Sequence, residues 1–455
     1  MRARQWTILL TTKTAYQKNL QIVMASAGVE KHTYFRSNLR HRLVLLWVVM
    51  VFTYGADVSF AQSGDCTDLL SAEDSINRSM KLAEDVVRHN NLPAPLAARL
   101  YAINSIALHD AYKISHLESG YFLSLPHLTQ KSENVEQVQI NASLALLEMQ
   151  HPLSSEIFKR FKEDICLGGE SSDALLGRDI GELISKQSPP PAKSKIFDED
   201  IDGPGEWVTT PPYYSLPVLP LWAIATPFEL AARDSFRPAG PPPITSAAFR
   251  ASLAQVQRLG GVDSSIRTQD QTEIALFWAD GRGTSSGPGH WNDILRRTDK
   301  SAGTKTRLQN LLLLNISMYD AGIAAWDAKY SYKFWRPLTA IMSPSVNSGQ
   351  TETAWQPLIE NPAHPEYVSG HSSFSAAAAT VLQHRLGDIP FCTTSEGLPG
   401  AKRCFTSFQA ASQEAGDSRI YGGIHFSFSN EDGLKLGREV ADWVITSFRQ
   451  HHGIE

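Results

Sequence analysis

Several things are scarce in this sequence, and each scarcity closes a door. Apolar runs are short: the one at residues 43–54 stops at twelve residues, too few to span a bilayer comfortably. Runs that alternate apolar and polar residues are too brief for a substantial sheet, which leaves a mainly α class. The four cysteines, Cys66, Cys166, Cys392 and Cys404, show no spacing with histidine that resembles a zinc site. Basic charge is also in short supply, with 42 Lys and Arg against 47 Asp and Glu and a formal net charge of -5. Hydrophobic residues at 42% and charged residues at 20% describe an ordinary globular chain and exclude wholesale disorder. The 455 residues suffice for two ordinary domains or one large one.

The basic residues are unevenly placed. Residues 1–61 hold eight Lys and Arg against Glu30 and Asp57, leaving 34 basic and 45 acidic residues beyond them, a net of -11. An acidic body argues against nucleic acid or an anionic membrane as partner, so any anion site must be built from a few cations held in place. Arg36, Arg40, His41 and Arg42 precede the 43–54 run, and Ser59 and Ala61 follow as small residues at cleavage positions. This pattern reads as an export signal at about 36–61, giving a secreted or periplasmic protein without stable membrane insertion after cleavage; an uncleaved anchor is the alternative. Export makes a disulfide between Cys392 and Cys404, across a Gly/Ser/Pro-rich loop, the favoured pairing, with Cys66–Cys166 left by elimination. A loop of that size would contribute about 3 kcal/mol in the chain-entropy view.

Apolar residues recur at helical spacing near 72–92, 95–115, 138–150, 154–166 and 172–187, and again at 246–258, 268–279, 306–330, 371–386, 407–415 and 430–450. Between the two sets lies a stretch too rich in proline for any regular element. The organisation expected is an N-terminal extension (1–61), a helical region (62–187), a Pro-rich connector (188–245) and a second helical region (246–455). The fold class is mainly α, two four-helix-bundle-like halves joined by long Pro-rich loops. A faint internal echo links LYAINSIALHDAY at 100–112 with LLLNISMYDAG at 312–322, each placing Asp-Ala near the end of an apolar helix.

Three strings concentrate the chemistry: KYSYKFWRP at 329–337, HPEYVSGHSS at 364–373 and SRIYGGIH at 418–425. Lys329 and Arg336 are seven apart, so one continuous helix ended by Pro337 would project both from one face. Alone, such a pair is a solvated face; here Trp326, Tyr330, Tyr332, Phe334 and Trp335 surround it, and buried cations need an anion. Ser369 and Gly370 enter an Ala-rich helix, which is either a good N-cap or an anion cradle with free N–H groups and the positive helix end. His371 sits in its first turn. Arg419 offers a planar fork for an oxyanion, and Gly422-Gly423 lets His425 fold back beside it. Asp280, in FWADG, is a candidate to orient one arginine.

The joint pattern K-x6-R-P, S-G-H and S-R-x5-H resembles the vanadium-dependent haloperoxidases and their relatives, the type 2 phosphatidic-acid phosphatases, over roughly 265–450. The resemblance implies vanadate as cofactor, with His425 as its one protein ligand. Lys329, Arg336, Arg419, Ser369 and Gly370 would neutralise its oxygens, and His371 would be the acid/base group toward hydrogen peroxide. Trp326 and Asp280 also follow the haloperoxidase pattern. His364, seven before His371, stands where chloride-oxidising fungal members have Phe and bromide-oxidising algal members have His, which tilts the halide to bromide or iodide. Two departures are Val368, where the motif has Pro, and Ser429, where phosphatases place the Asp that orients the last histidine. The implied partners are hydrogen peroxide and halide, with the organic acceptor open and an oligomer compatible. An exported acid phosphatase with His425 as nucleophile is the alternative on the same scaffold, and a non-catalytic anion binder is a third reading.

Overall fold

Thirteen α-helices run through the described residues, which are 72–165, 167, 169–189, 203–300, 303–346 and 354–454 of this computed structural model. The expected export signal and the Cys66–Cys166 pairing lie outside them. The first set of helices is α1 (Ala72–His89), α2 (Ala94–Ser115), α3 (Val135–Gln150), α4 (Ser155–Asp164) and α5 (Ser172–Gln187). The second is α6 (Ala247–Gly260), α7 (Gln269–Phe277), α8 (Ser286–Thr298), α9 (Thr304–Tyr332), α10 (Pro337–Met342), α11 (Gly370–Leu386), α12 (Phe408–Tyr421) and α13 (Ser427–His451). Their starts follow capping chemistry: Ser171, Ser246, Thr268, Ser369 and Ser407 each accept a backbone N–H two or three residues into the helix.

Two of the helices in that second set, α8 and α10, fall outside the periodicity reading. Gly287, Pro288 and Gly289 in the first turn of α8 look like a loop, yet proline is tolerated there because the N–H it lacks would have no intrahelical partner. The two strands among the described residues, β1 (Phe391–Thr394) and β2 (Lys402–Phe405), pair antiparallel with Cys392 opposite Cys404. The disulfide joins these two residues. It staples a hairpin where the sequence suggested only a loop.

Helices α2 and α9 are buried over most of their length and on all sides there, with a few polar groups among the apolar ones. They pack on one another, and α9 also lies against α11 and α13. One continuous core spans both sets of helices. The sequence echo is structural. Near the end of α2, Asp110 accepts the N–H groups of Tyr121, Phe122 and Leu123. On α9, Asp320 accepts those of Phe228, Glu229 and Leu230. Each buried carboxylate thus ties a loop to a core helix.

The backbones of α11 and α13 come very close. A Cβ on Gly437 would sit 2.3 Å from the Ser373 oxygen, and one on Gly433 would sit 2.7 Å from the Ser369 oxygen. These glycines let α13 dock directly onto the Ser-Gly-His turn. The Pro-rich segment, in its described part, is a strap laid over the end of α9. Trp207 N–H donates to the Lys333 oxygen, and Val218 N–H to the Ala363 oxygen. The Trp326 indole and Tyr330 hydroxyl both donate to the Val218 oxygen.

Candidate active site

Lys329 and Arg336 do not share a continuous helix. Helix α9 ends at Tyr332, capped by Lys333 with φ +45°, and 334–336 run extended. Pro337 begins α10, at a position where its fixed φ suits a first turn, instead of ending α9. The two cations are gathered by a peptide segment rather than by helical phase. Lys329 Nζ donates to the Pro365 and Glu366 carbonyls, both at 2.9 Å, and lies 5.7 Å from the centre of the Trp326 ring. Arg336 donates from Nε and Nη2 to the His364 carbonyl and from Nη1 to the Ile424 carbonyl. Both side chains are fully buried.

The Ser-Gly-His turn takes the N-cap form that the sequence offered. Ser369 caps α11, accepting the Ser372 N–H at 3.3 Å, and Gly370 is the first helical residue at the positive end of the dipole. The Tyr367–Val368 peptide bond ahead of it is cis, with Val368 fully buried. His371 bonds the Ala279 backbone through one ring nitrogen, while its buried Nε2 has no hydrogen-bond partner among the described residues. Arg419, in the last turn of α12, donates from Nη1 to the Trp278 carbonyl at 2.9 Å. Its buried Nε also has no partner among the described residues.

Gly422-Gly423 performs the fold-back expected of it. Gly423 adopts φ +81°, and the N–H groups of Ile424 and His425 both return to the Arg419 carbonyl. A Cβ on Gly423 would meet the Gly260 oxygen at 2.3 Å, so only glycine fits. His425 therefore lies just beyond Arg419. Its Nε2 is 3.2 Å from Arg336 Nη1, and its Nδ1 is 2.7 Å from Glu366 Oε1.

Glu366 fills the role that Ser429 leaves open. The carboxylate absent from position 429 is supplied by another element, the peptide ahead of the Ser-Gly-His turn; Ser429 Oγ itself lies 3.4 Å from Nδ1. Glu366 stood inside the second string, and its signal was a lone acid between two candidate histidines in an apolar run. Asp280 is corrected too. Its carboxylate hydrogen-bonds the His290 ring at 3.2 and 3.3 Å, and its effect on Arg419 is through the field alone. His290 belongs to α8, the helix that periodicity missed. It stacks on Trp278 and reaches Thr393 Oγ1 at 3.2 Å, bracing the loop whose carbonyl holds Arg419.

His364 is gathered as well, with its Nδ1 2.9 Å from Arg336 Nη2 and its ring 4.9 Å from that of Trp326. Lys333 stays outside the cluster, its carbonyl tied to the strap.

Burial leads the electrostatics of every group in the cluster. Burial, then Arg336, hold Lys329 well below the usual lysine range. Burial lowers Arg336 and Arg419 to about 10 each, opposed by Glu366 and Asp280 respectively. The imidazoles of His364, His371 and His425 are all pushed well below their ordinary range, burial leading and the cations adding. Three buried cations with carbonyls as their main partners are costly, because desolvating an ion costs several kcal/mol unless an opposite charge is near. Together with the unpartnered Arg419 Nε, they form a donor set suited to a tetrahedral oxyanion such as vanadate, with the unpartnered His371 Nε2 as an acceptor in the same cluster.

The sequence pattern of the VCPO second helical-bundle domain matches residues 309–453. The vanadium chloroperoxidase of Curvularia inaequalis is 26% identical over 144 residues, 27% of this chain. That match spans about a quarter, 24%, of the fungal protein's own length. The crystal structure of the first bacterial vanadium-dependent iodoperoxidase superposes with a TM-score of 0.68 at 26% identity, covering 82% of this chain and 96% of that one. A holo-type bacterial vanadium-dependent chloroperoxidase shares the fold at a TM-score of 0.61 and 15% identity, over 79% of this chain and 92% of that one. In its all-α fold, its matched second bundle and these relatives, the chain is similar to the vanadium-dependent haloperoxidases.

Proposed function

We propose that the protein is an exported, vanadate-dependent haloperoxidase that oxidises halide with hydrogen peroxide. In the net reaction peroxide and halide, with one proton, give hypohalous acid and water. The observation that carries the reading is the cluster itself, three buried basic side chains and an imidazole pair, with Arg419 Nε a donor and His371 Nε2 an acceptor left without partners among the described residues. Lys329, Arg336, Arg419, Ser369 and the Gly370 N–H would hold the oxygens of vanadate, and His425 Nε2 would hold its metal. When bound, vanadate would supply the Lewis-acid centre that activates peroxide.

The chain's own residues do the rest. His371 bonds a backbone group through one nitrogen, so its neutral Nε2 offers a lone pair that can take a proton from incoming peroxide. Lys329, stripped of water, concentrates positive charge where negative charge develops. His364, packed beside Trp326, supports bromide or iodide as the halide, and the iodoperoxidase relative at 26% identity supports iodide.

A second reading, phosphate-ester hydrolysis on the same residues, is favoured by one observation. Glu366 gives His425 the carboxylate partner that a nucleophilic imidazole uses. The test is an assay of metal-free protein with and without orthovanadate, using hydrogen peroxide and bromide or iodide. Vanadate-dependent halogenation supports the first reading; phosphatase turnover that vanadate inhibits, without halogenation, supports the second.

A further inference from the structure

We infer that Glu366 is a positioning residue that fixes His425 as the Nδ1–H tautomer and so presents the Nε2 lone pair to the oxyanion cage. Two contacts made by different groups give the same assignment. A guanidinium can only donate, so Arg336 Nη1, 3.2 Å from His425 Nε2, requires that nitrogen to be the acceptor. Glu366 Oε1, 2.7 Å from Nδ1, then takes the ring's one proton as a hydrogen bond. The carboxylate is itself held in place: Oε1 also accepts the Phe426 N–H at 3.0 Å, and the Glu366 carbonyl accepts Lys329 Nζ at 2.9 Å. One residue thus anchors a cation through its backbone and orients the imidazole through its side chain. The geometry does from the loop ahead of Ser369 what a carboxylate one helical turn after His425 would do, at the position that Ser429 occupies.

The inference rests on the reading of His425 as the metal ligand, but the tautomer can be read without any metal. Nitrogen NMR of histidine-labelled, vanadate-free protein, with the His425 signal assigned by its loss in His425→Asn, should show a protonated Nδ1 and an unprotonated Nε2. A protonated Nε2 in the wild type would overturn the inference outright. Two substitutions and two anions then separate orientation from simple structural support. Orthovanadate takes a bond from Nε2, whereas inorganic phosphate in the same cage reads only the cations. Glu366→Leu should weaken orthovanadate binding by about 10- to 100-fold, the usual cost of losing a partner behind a metal-bound histidine. The same variant should hold phosphate about as well as the wild type, since the three cations are untouched. Glu366→Gln, which keeps an oxygen facing Nδ1, should retain the tautomer and lose less than about tenfold in orthovanadate affinity. Equal loss of both anions in Glu366→Leu would make Glu366 merely structural and refute the proposal, as would unchanged orthovanadate binding. Wild-type protein that shows the Nδ1–H tautomer yet binds no orthovanadate would instead refute the vanadate reading and leave the orientation standing.

Discussion

Helices α2 and α9 look like two versions of one element, and only one of them reaches the cluster of buried cations and histidines. Both are buried on all sides, and both carry an aspartate that gathers three consecutive N–H groups of a loop. Helix α2 stops five residues after Asp110, at Ser115. Helix α9 continues for twelve residues past Asp320, to Tyr332, and the added two turns carry Trp326 and Lys329. Buried charge is handled differently around each. Near α2, Arg99 is answered by Gln150 and the Ser188 carbonyl. Beyond α9, Arg419 Nε and His371 Nε2 are left without partners among the described residues. The lesson is that a satisfied buried polar group supports a fold, and a cluster of unsatisfied ones marks where a ligand belongs.

The sharpest break of this comparison is His425→Ala, which should abolish orthovanadate binding in calorimetry and with it all halogenation. His371→Ala comes next. Binding should persist, because the residue serves proton transfer, while turnover falls by about 100- to 10,000-fold in a steady-state assay. Smaller effects come from the paired aspartates. Asp110→Asn and Asp320→Asn should each cost about 1–3 kcal/mol in urea unfolding, since an amide cannot accept all three N–H groups. Asp110→Asn should leave orthovanadate affinity untouched. Asp320→Asn, by loosening the strap over α9, should lower it roughly three- to tenfold, at or below the usual cost of losing a supporting contact.

The finest distinction is in pH. Burial, partly offset by its three N–H bonds, raises Asp320 from 3.8 to about 7. The folded state then holds this proton more tightly than the unfolded chain, so its contribution to stability declines as pH rises from about 4 to about 7. The difference in urea midpoint between wild type and Asp320→Asn should shrink over that window, as wild type loses the advantage of its protonated carboxyl.

Much of this arrangement was legible in the sequence, for reasons that mark where legibility ends. Helical periodicity located eleven of the helices because their apolar faces repeat locally. It missed α8, whose Gly-Pro-Gly first turn imitates a loop, and the short α10, which Pro337 starts. The three strings identified Lys329, Arg336, Ser369, His371, Arg419 and His425, because cations among aromatics and a Ser-Gly helix entry are local anomalies. How they meet was not legible. Arg336 reaches the cluster because α9 ends at Lys333 and the chain runs on extended, and its partners are carbonyls of 364 and 424, which no residue type announces. Glu366 was visible as a letter, but its pairing with His425 is a contact between segments 59 residues apart. Asp280 was assigned to an arginine because His290, on the unrecognised helix, was not in view.

The most direct test of the account is titration of metal-free protein with orthovanadate, followed on the same sample by an assay with hydrogen peroxide and bromide or iodide. The account predicts one orthovanadate bound per chain and halogenation that appears in proportion to it. Saturable orthovanadate binding that yields no halogenation and only blocks phosphate-ester hydrolysis would contradict it.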